Sequence, residues 1–232
     1  MIRLSRIQIQ QELGDLQPEE WAFHLLQQDP YAPFLSPSRT IFLIRKAFEI
    51  GEKWAKPFQN QITLTSIANH LVKDGVQILL VDQHPENLEV RAEYDRKQKR
   101  ITIYRHSFAQ LHRFFHQLGY EIPEEEWILL HLTHELFHHL ETKLPNRREF
   151  PTPSVTFRKV GPLRFRRRIW SVREIAAHTF AQKTLHLPWS PYLLDLWFLS
   201  GDKDHTVNFD ERVLQPLRMS YQQFLTQLDS GT

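Results

Sequence analysis

The chain has 232 residues, 41% of them hydrophobic, which is enough for one domain of moderate size or a catalytic domain with decoration. Its 29 basic and 27 acidic residues leave a net charge of +2, too small a global excess to argue for a nucleic-acid partner. Cysteine is absent, which excludes disulfides and thiolate metal sites, allows a reducing cytoplasm, and leaves oxygen and nitrogen as the only metal ligands.

The stretch from Met1 to Gln8 lacks the apolar core of a signal peptide, so secretion is not expected. No apolar run approaches the roughly 20 residues that span a bilayer, which predicts a cytoplasmic protein with no membrane partner. Pro18 to Gln28 predicts a short helix with Trp21, Leu25 and Leu26 on its apolar side, and Pro30, Pro33 and Pro37 break it. Ser38 to Lys56 predicts a longer helix whose buried stripe draws on Ile41, Phe42, Ile44, Phe48 and Ile50, ended by Pro57. Residues 1–60 carry no catalytic constellation and no helix-turn-helix reader, so they read as a helical extension that covers the core or binds a partner. Further on, Ser107 to Leu118 predicts a helix with Phe108, Leu111, Phe115 and Leu118 inward and Gly119 as its stop.

Pro123 and the acids Glu124, Glu125 and Glu126 then mark the start of another helix. It contains His134-Glu135-Leu136-Phe137-His138, an HExxH string. Histidines four apart on a helix lie about 40° apart around the axis and one turn apart along it, so both imidazoles reach one ion. Glu135, beside the first of them, is placed to act on a water at that ion. Leu129, Leu132, Leu136 and Leu140 gather on one side of the wheel, and His131, His134, Glu135 and His138 on the other, where they are expected to face something polar. His131 and His139 extend that face in supporting or surface roles.

A catalytic zinc site takes three protein ligands and keeps one position open. Leu144 stands where the third histidine of the HExxHxxGxxH pattern would fall, which excludes that pattern. The next candidate is Glu174, on a helix beginning Ser171-Val172-Arg173-Glu174-Ile175-Ala176-Ala177-His178. Spacing leaves its role open, because Ser171-x-x-Glu174 is equally a capping box. His178, one turn on, is a reserve ligand, a donor to the reaction oxyanion, or a local hydrogen-bond partner, with Tyr104 and His139 as further oxyanion candidates.

The connection between the two helices is long and basic, with Arg147, Arg148, Arg158, Lys159, Arg164, Arg166, Arg167 and Arg168 among prolines and Gly161. It reads as a solvated linker, as a basic surface hairpin, or as a gate that attracts an acidic peptide or a nucleic-acid backbone. Past Pro188, Tyr192 to Leu199 is apolar, Trp189 and Trp197 read as core, and Val213 to Leu228 predicts a final helix.

HELFHHL, followed by Glu174-x-x-Ala177-x-x-Phe180-Ala181 and then Leu185 and Pro188, resembles the ImmA/IrrE family of bacterial zinc metallopeptidases. The resemblance covers roughly residues 60–190. It implies His134, His138 and Glu174 as ligands of one Zn2+ and Glu135 as general base. Ser66 to Leu71 is similar to the family's helix before its first strand, Val76 to Val81, with Val90 to Tyr94 and Ile101 to Tyr104 as the following hairpin. Phe137 stands where the family commonly has a small residue, which predicts altered packing of the metal helix.

The implied fold is α+β, mostly helical, with a zincin-like core, a small β-sheet and the HExxH helix. The implied division is an extension over 1–60, a metallopeptidase domain over 61–200 and a C-terminal helical segment over 201–232. The implied function is a zinc-dependent metalloendopeptidase that hydrolyses a cytoplasmic protein or peptide substrate, such as a transcriptional regulator. The alternative is a non-proteolytic metal-binding regulatory module that binds a protein or nucleic-acid partner. A nucleic-acid binder with incidental histidines would instead show metal-independent binding that weakens steeply with salt.

Overall fold

Helices in the computed structural model start and stop where prolines and glycines punctuate the chain; the structure describes every residue except 1–2, 10, 12–13, 61, 87–89, 144–152, 200–208 and 231–232. In chain order the elements are α1 (Pro18–Gln27), α2 (Pro37–Ala55), α3 (Leu64–Lys73), β1 (Gln77–Val81), β2 (Ala92–Asp95), β3 (Arg100–Tyr104), α4 (His106–Gln117), α5 (Glu124–Thr142), β4 (Ser154–Val160), β5 (Leu163–Arg168), α6 (Ser171–Thr184), α7 (Tyr192–Leu199) and α8 (Gln215–Ser230). The class is α+β and mostly helical, with two small sheets rather than one. No helix among the described residues is long and apolar enough to cross a membrane. The chain divides into two units, and α2 and α6 each run unbroken through the division.

The first unit comprises Met1–Ile7, Trp54–Asn146 and Phe180–Pro188. Its sheet has the order β1-β3-β2, with β1 parallel and β2 antiparallel to the central β3. Thr63 and Ser66 cap α3 reciprocally, and Ile67 and Leu71 are its buried positions. Gly75, at a φ of +76°, lets the Val76 N–H fold back on the Leu71 carbonyl at 3.0 Å, which ends α3 and aims the chain into β1. The middle of β3 is buried at Ile101, Thr102 and Ile103, as expected of a central strand. On α4, Phe108, Leu111, Phe114 and Phe115 point inward, and Phe115 meets Trp127 of α5 with ring centroids 4.9 Å apart.

Helix α5 departs from the two-faced helix read from its sequence. Trp127, Leu130, Leu132, Leu136 and Phe137 are buried, but so are His131, Thr133, Glu135 and His139 on the other side. Helix α3 and strands β2 and β3 all pack on α5, so its histidine face meets protein rather than water. Phe137 packs between Trp54 at 5.0 Å and Phe180 at 5.8 Å, both in this unit. The bulky ring expected to alter the packing of this helix therefore fills an aromatic layer.

The second unit comprises Gln8–Lys53, Arg147–Thr179 and Trp189–Thr232. Gln17 and Glu20 close a reciprocal cap on α1, with the Gln17 N–H donating to Glu20 Oε2 at 2.8 Å. Helix α1 buries Trp21, Ala22, Phe23 and Leu26, and Phe23 packs on Phe224 of α8 at 4.6 Å. The stripe on α2 is Thr40, Leu43, Ile44, Ala47 and Ile50. Phe42, expected within it, is exposed and lies under the Arg39 guanidinium. Trp189 and Trp197 are core, as read from the sequence. Part of the basic connection folds as a hairpin: β4 and β5 pair antiparallel around Gly161, with an irregularity between Thr156 and Arg158. Its residues 144–152, with Arg147 and Arg148, lie outside the described residues.

His24 and Tyr192 form a polar contact inside this unit, with Nδ1 2.9 Å from the hydroxyl. Burial lowers the His24 pKa below 6.5. As pH falls through 6.5 the unfolded chain binds a proton that folded His24 refuses, so the stability from the neutral ring is present above 6.5 and lost on acidification toward the folded pKa. Urea midpoints of the wild type should fall between pH 7 and pH 5, and fall less in His24→Asn. Equal pH dependence in the two proteins would refute this assignment.

Candidate metal centre

The α5 backbone brings the His134 and His138 Nε2 atoms to 3.3 Å from each other, with ring centroids 5.1 Å apart. Two nitrogens bound at 2.0–2.1 Å to one tetrahedral zinc are themselves about 3.3–3.4 Å apart, so this separation is that of two ligands of one ion. As a hydrogen bond the same contact would need one ring protonated at Nε2; as a ligand pair it needs both Nε2 atoms bare. Glu141 Oε2 lies 3.7 Å from His138 Nδ1, on the side of the ring away from Nε2. Both side chains of that pair are largely buried.

Glu174 lies in the first turn of α6. The capping box that the sequence allowed would use this carboxylate on the backbone at Ser171, and a second carboxylate also lies at that helix start. Asp29 Oδ2 accepts from the Trp170 N–H at 2.7 Å and from the Ser171 N–H and hydroxyl at 3.5 Å, while Asp29 Oδ1 accepts from the Tyr31 N–H at 3.0 Å. Asp29 is buried and satisfies the helix start itself. His134, His138 and Glu174 then form a group able to hold a metal ion, with ligand atoms all within 4.8 Å of one another. Two imidazoles and one carboxylate are the donor set of a catalytic zinc site with an open fourth position. Near its other end α6 carries Phe180, whose contact with Phe137 sets that part of the helix against α5.

Glu135 is buried, next to His134. The remaining histidines have other partners. His131 Nδ1 donates to the Trp127 carbonyl at 2.7 Å, a bond within its own helix. His139 is enclosed, with Nε2 donating to Asp74 Oδ2 at 3.1 Å and Nδ1 accepting from the Tyr94 hydroxyl at 2.9 Å. Burial lowers the His139 pKa, against the opposing pull of Asp74. Burial would raise that of Asp74, but hydrogen bonds from Lys143 and His139 outweigh it and hold this carboxyl below the ordinary range. The Tyr104 hydroxyl donates to Glu93 Oε1 at 2.5 Å, and burial with that partner pushes it up to about 12. His139 and Tyr104 are thus tied into structural bonds, which weakens both as oxyanion donors. His178 lies outside the metal group, with Nε2 3.4 Å from Asp195 Oδ2 of α7 and its ring against Trp21 and Tyr192.

Of the sequence candidates, the structure brings His134, His138 and Glu174 together and places Glu135 beside them on α5. Sequence reading missed Asp29, Asp74, Asp195 and Glu141. Only Glu141 left a local signal, its three-residue spacing from His138 on one helix.

Untagged protein purified without chelator should carry close to one zinc per chain by elemental analysis, and Glu174→Ala should lose most of it while keeping its helical circular dichroism. Zinc at wild-type level in the variant would remove Glu174 from the ligand set. Failure of the wild type to take up offered zinc would remove the centre. Comparisons with protein-family models, with curated proteins and with solved structures find no match for this chain.

Proposed function

We propose that the chain is a zinc-dependent metalloendopeptidase of the ImmA/IrrE kind, with a zincin-like core. The observation that carries the reading is the 3.3 Å approach of two Nε2 atoms within an HExxH helix, with Glu174 completing a His, His, Glu group. The order of a three-stranded sheet, the HExxH helix and then a helix bearing the glutamate supports it. On this reading the protein acts in the cytoplasm on a protein substrate, with a transcriptional regulator as the expected class.

Zinc held by His134, His138 and Glu174 would supply Lewis acidity to a scissile carbonyl and a water whose pKa is lowered toward about 7. Glu135, buried beside His134, would be the general base and proton carrier of such a site. Glu141, one turn on, would orient the His138 ring through Nδ1 and leave Nε2 for the metal. Asp29 braces the start of the helix that carries Glu174. His178, with Nε2 3.4 Å from Asp195 Oδ2, is the third of the oxyanion candidates.

Glu135→Gln should retain zinc at the wild-type level and cleave a proteome-derived peptide pool at least about 10²-fold more slowly, as read by mass spectrometry of new termini. Undiminished cleavage by the variant would sink the mechanism. A zinc-loaded wild type that cleaves nothing in the pool would favour the non-proteolytic regulatory module.

A further inference from the structure

The β4–β5 hairpin carries six cations, Arg158, Lys159, Arg164, Arg166, Arg167 and Arg168, and no acid. Every residue of β5 is exposed. Among the described residues, none of the six has a carboxylate within ion-pair distance. Since the whole chain nets only +2, the rest of it is net acidic and the positive field is concentrated on this ribbon.

The pairing register sorts these charges. Lys159 stands opposite Arg164, Thr156 opposite Arg166 and Ser154 opposite Arg168, so alternation puts Lys159, Arg164, Arg166 and Arg168 on one face with two hydroxyls. The other face takes Val160, Leu163, Arg158, Phe165, Val155 and Arg167. A directly opposed pair of like charges, Lys159 and Arg164, costs stability in a free hairpin. An external anion turns that cost into binding energy.

The periodicity of the cationic face points to the kind of anion. Alternate residues on a strand are about 6.6 Å apart, which sets Arg164, Arg166 and Arg168 in a line with a spacing close to that of successive phosphates along a nucleic-acid strand. Five of the six cations are arginine, whose planar fork suits phosphate oxygens. Exposed Trp170 at the base lies under both Arg168 and Arg173, in the aromatic and arginine mixture that suits bases and sugars. A two-stranded ribbon also fits the width of a major groove. An anionic membrane would use the apolar tip at Val160 and Leu163 and the cations nearest it, leaving Arg166 and Arg168, toward the base on the other face, without a role.

We propose that the hairpin over 154–168 is a nucleic-acid docking ribbon that lies along the phosphates of a duplex, with Lys159, Arg164, Arg166 and Arg168 as its contact line. Binding at this ribbon needs neither zinc nor Glu135, so it holds or fails separately from the metallopeptidase reading. The face is exposed, and substitutions on it leave the buried base of the hairpin at Ile169 and Pro153 untouched.

The experiment is fluorescence anisotropy of a short labelled DNA duplex with full-length protein, from about 0.05 to 0.2 M salt. Four to six neutralised phosphates predict a slope of log K against log salt of roughly −4 to −5. The combined variant Arg164→Gln, Arg166→Gln, Arg168→Gln should flatten that slope by about 2.7 and weaken binding at 0.1 M salt by roughly 10²-fold or more. Val160→Ser with Leu163→Ser should leave duplex binding unchanged, and chelator should not abolish it. Unchanged affinity and slope in the triple arginine variant would overturn the proposal. So would binding to phosphatidylserine vesicles or polyglutamate in place of the duplex.

Discussion

The candidate centre depends on the burial of α5 around its whole circumference. A helix with leucines on one side and histidines on the other, lying at a surface, would leave each imidazole solvated and independent of its neighbours. Here β2, β3 and α3 cover that side, and every polar group on it must be answered by protein. His131 answers within the helix, Thr133 donates to the Leu129 carbonyl at 2.7 Å, and His139 is bracketed by Asp74 and Tyr94. His134 and His138 are held nose to nose, an arrangement in which a single cation satisfies both lone pairs at once. The aromatic layer of Trp54, Phe137 and Phe180 gives the helix its rigid backing.

What could be read from the sequence was what lies within one turn or one strand. Pro123 and three glutamates announced α5, the HExxH spacing announced a pair of converging imidazoles, and Gly119 announced the end of α4. The strands over 77–104 came from resemblance, because the run Gln77–Val81 shows no alternation: it is an edge strand exposed along most of its length. The partners of the histidines stayed hidden. Asp74 meets His139 across 65 positions, Asp29 meets Trp170 across 141, and Asp195 reaches His178 from another helix. Hydrophobic period and capping rules carry no term for such pairings. Phe42 failed for a related reason: a wheel assigns a hydrophobic ring to the core, whereas an arginine one turn earlier covers this one at the surface.

Charge shows the same contrast between local and global reading. A net charge of +2 gave no argument for a polyanion partner, because that figure averages a strongly basic ribbon with an acidic remainder. The quantity that governs steering is the field at a surface patch, and folding decides which charges share a patch. Alternation along β5 gathers three arginines on one face, while the tip keeps its apolar residues on the other.

Glu174 is where fold and chemistry compete for one group. A glutamate near a helix start gains from bonding to the backbone amides there, and losing such a cap costs about 1 kcal/mol. Ligation needs the same oxygens to turn away from the helix. A chain that relied on Glu174 for both would set metal binding against the integrity of α6. Asp29, buried and bonded to Trp170, Ser171 and Tyr31, supplies a carboxylate to the helix start from elsewhere in the sequence. The short 2.7 Å bond from the Trp170 N–H is a charge-assisted one. Asp29 thus supports, from 141 positions away in the sequence, the start of the helix that carries Glu174.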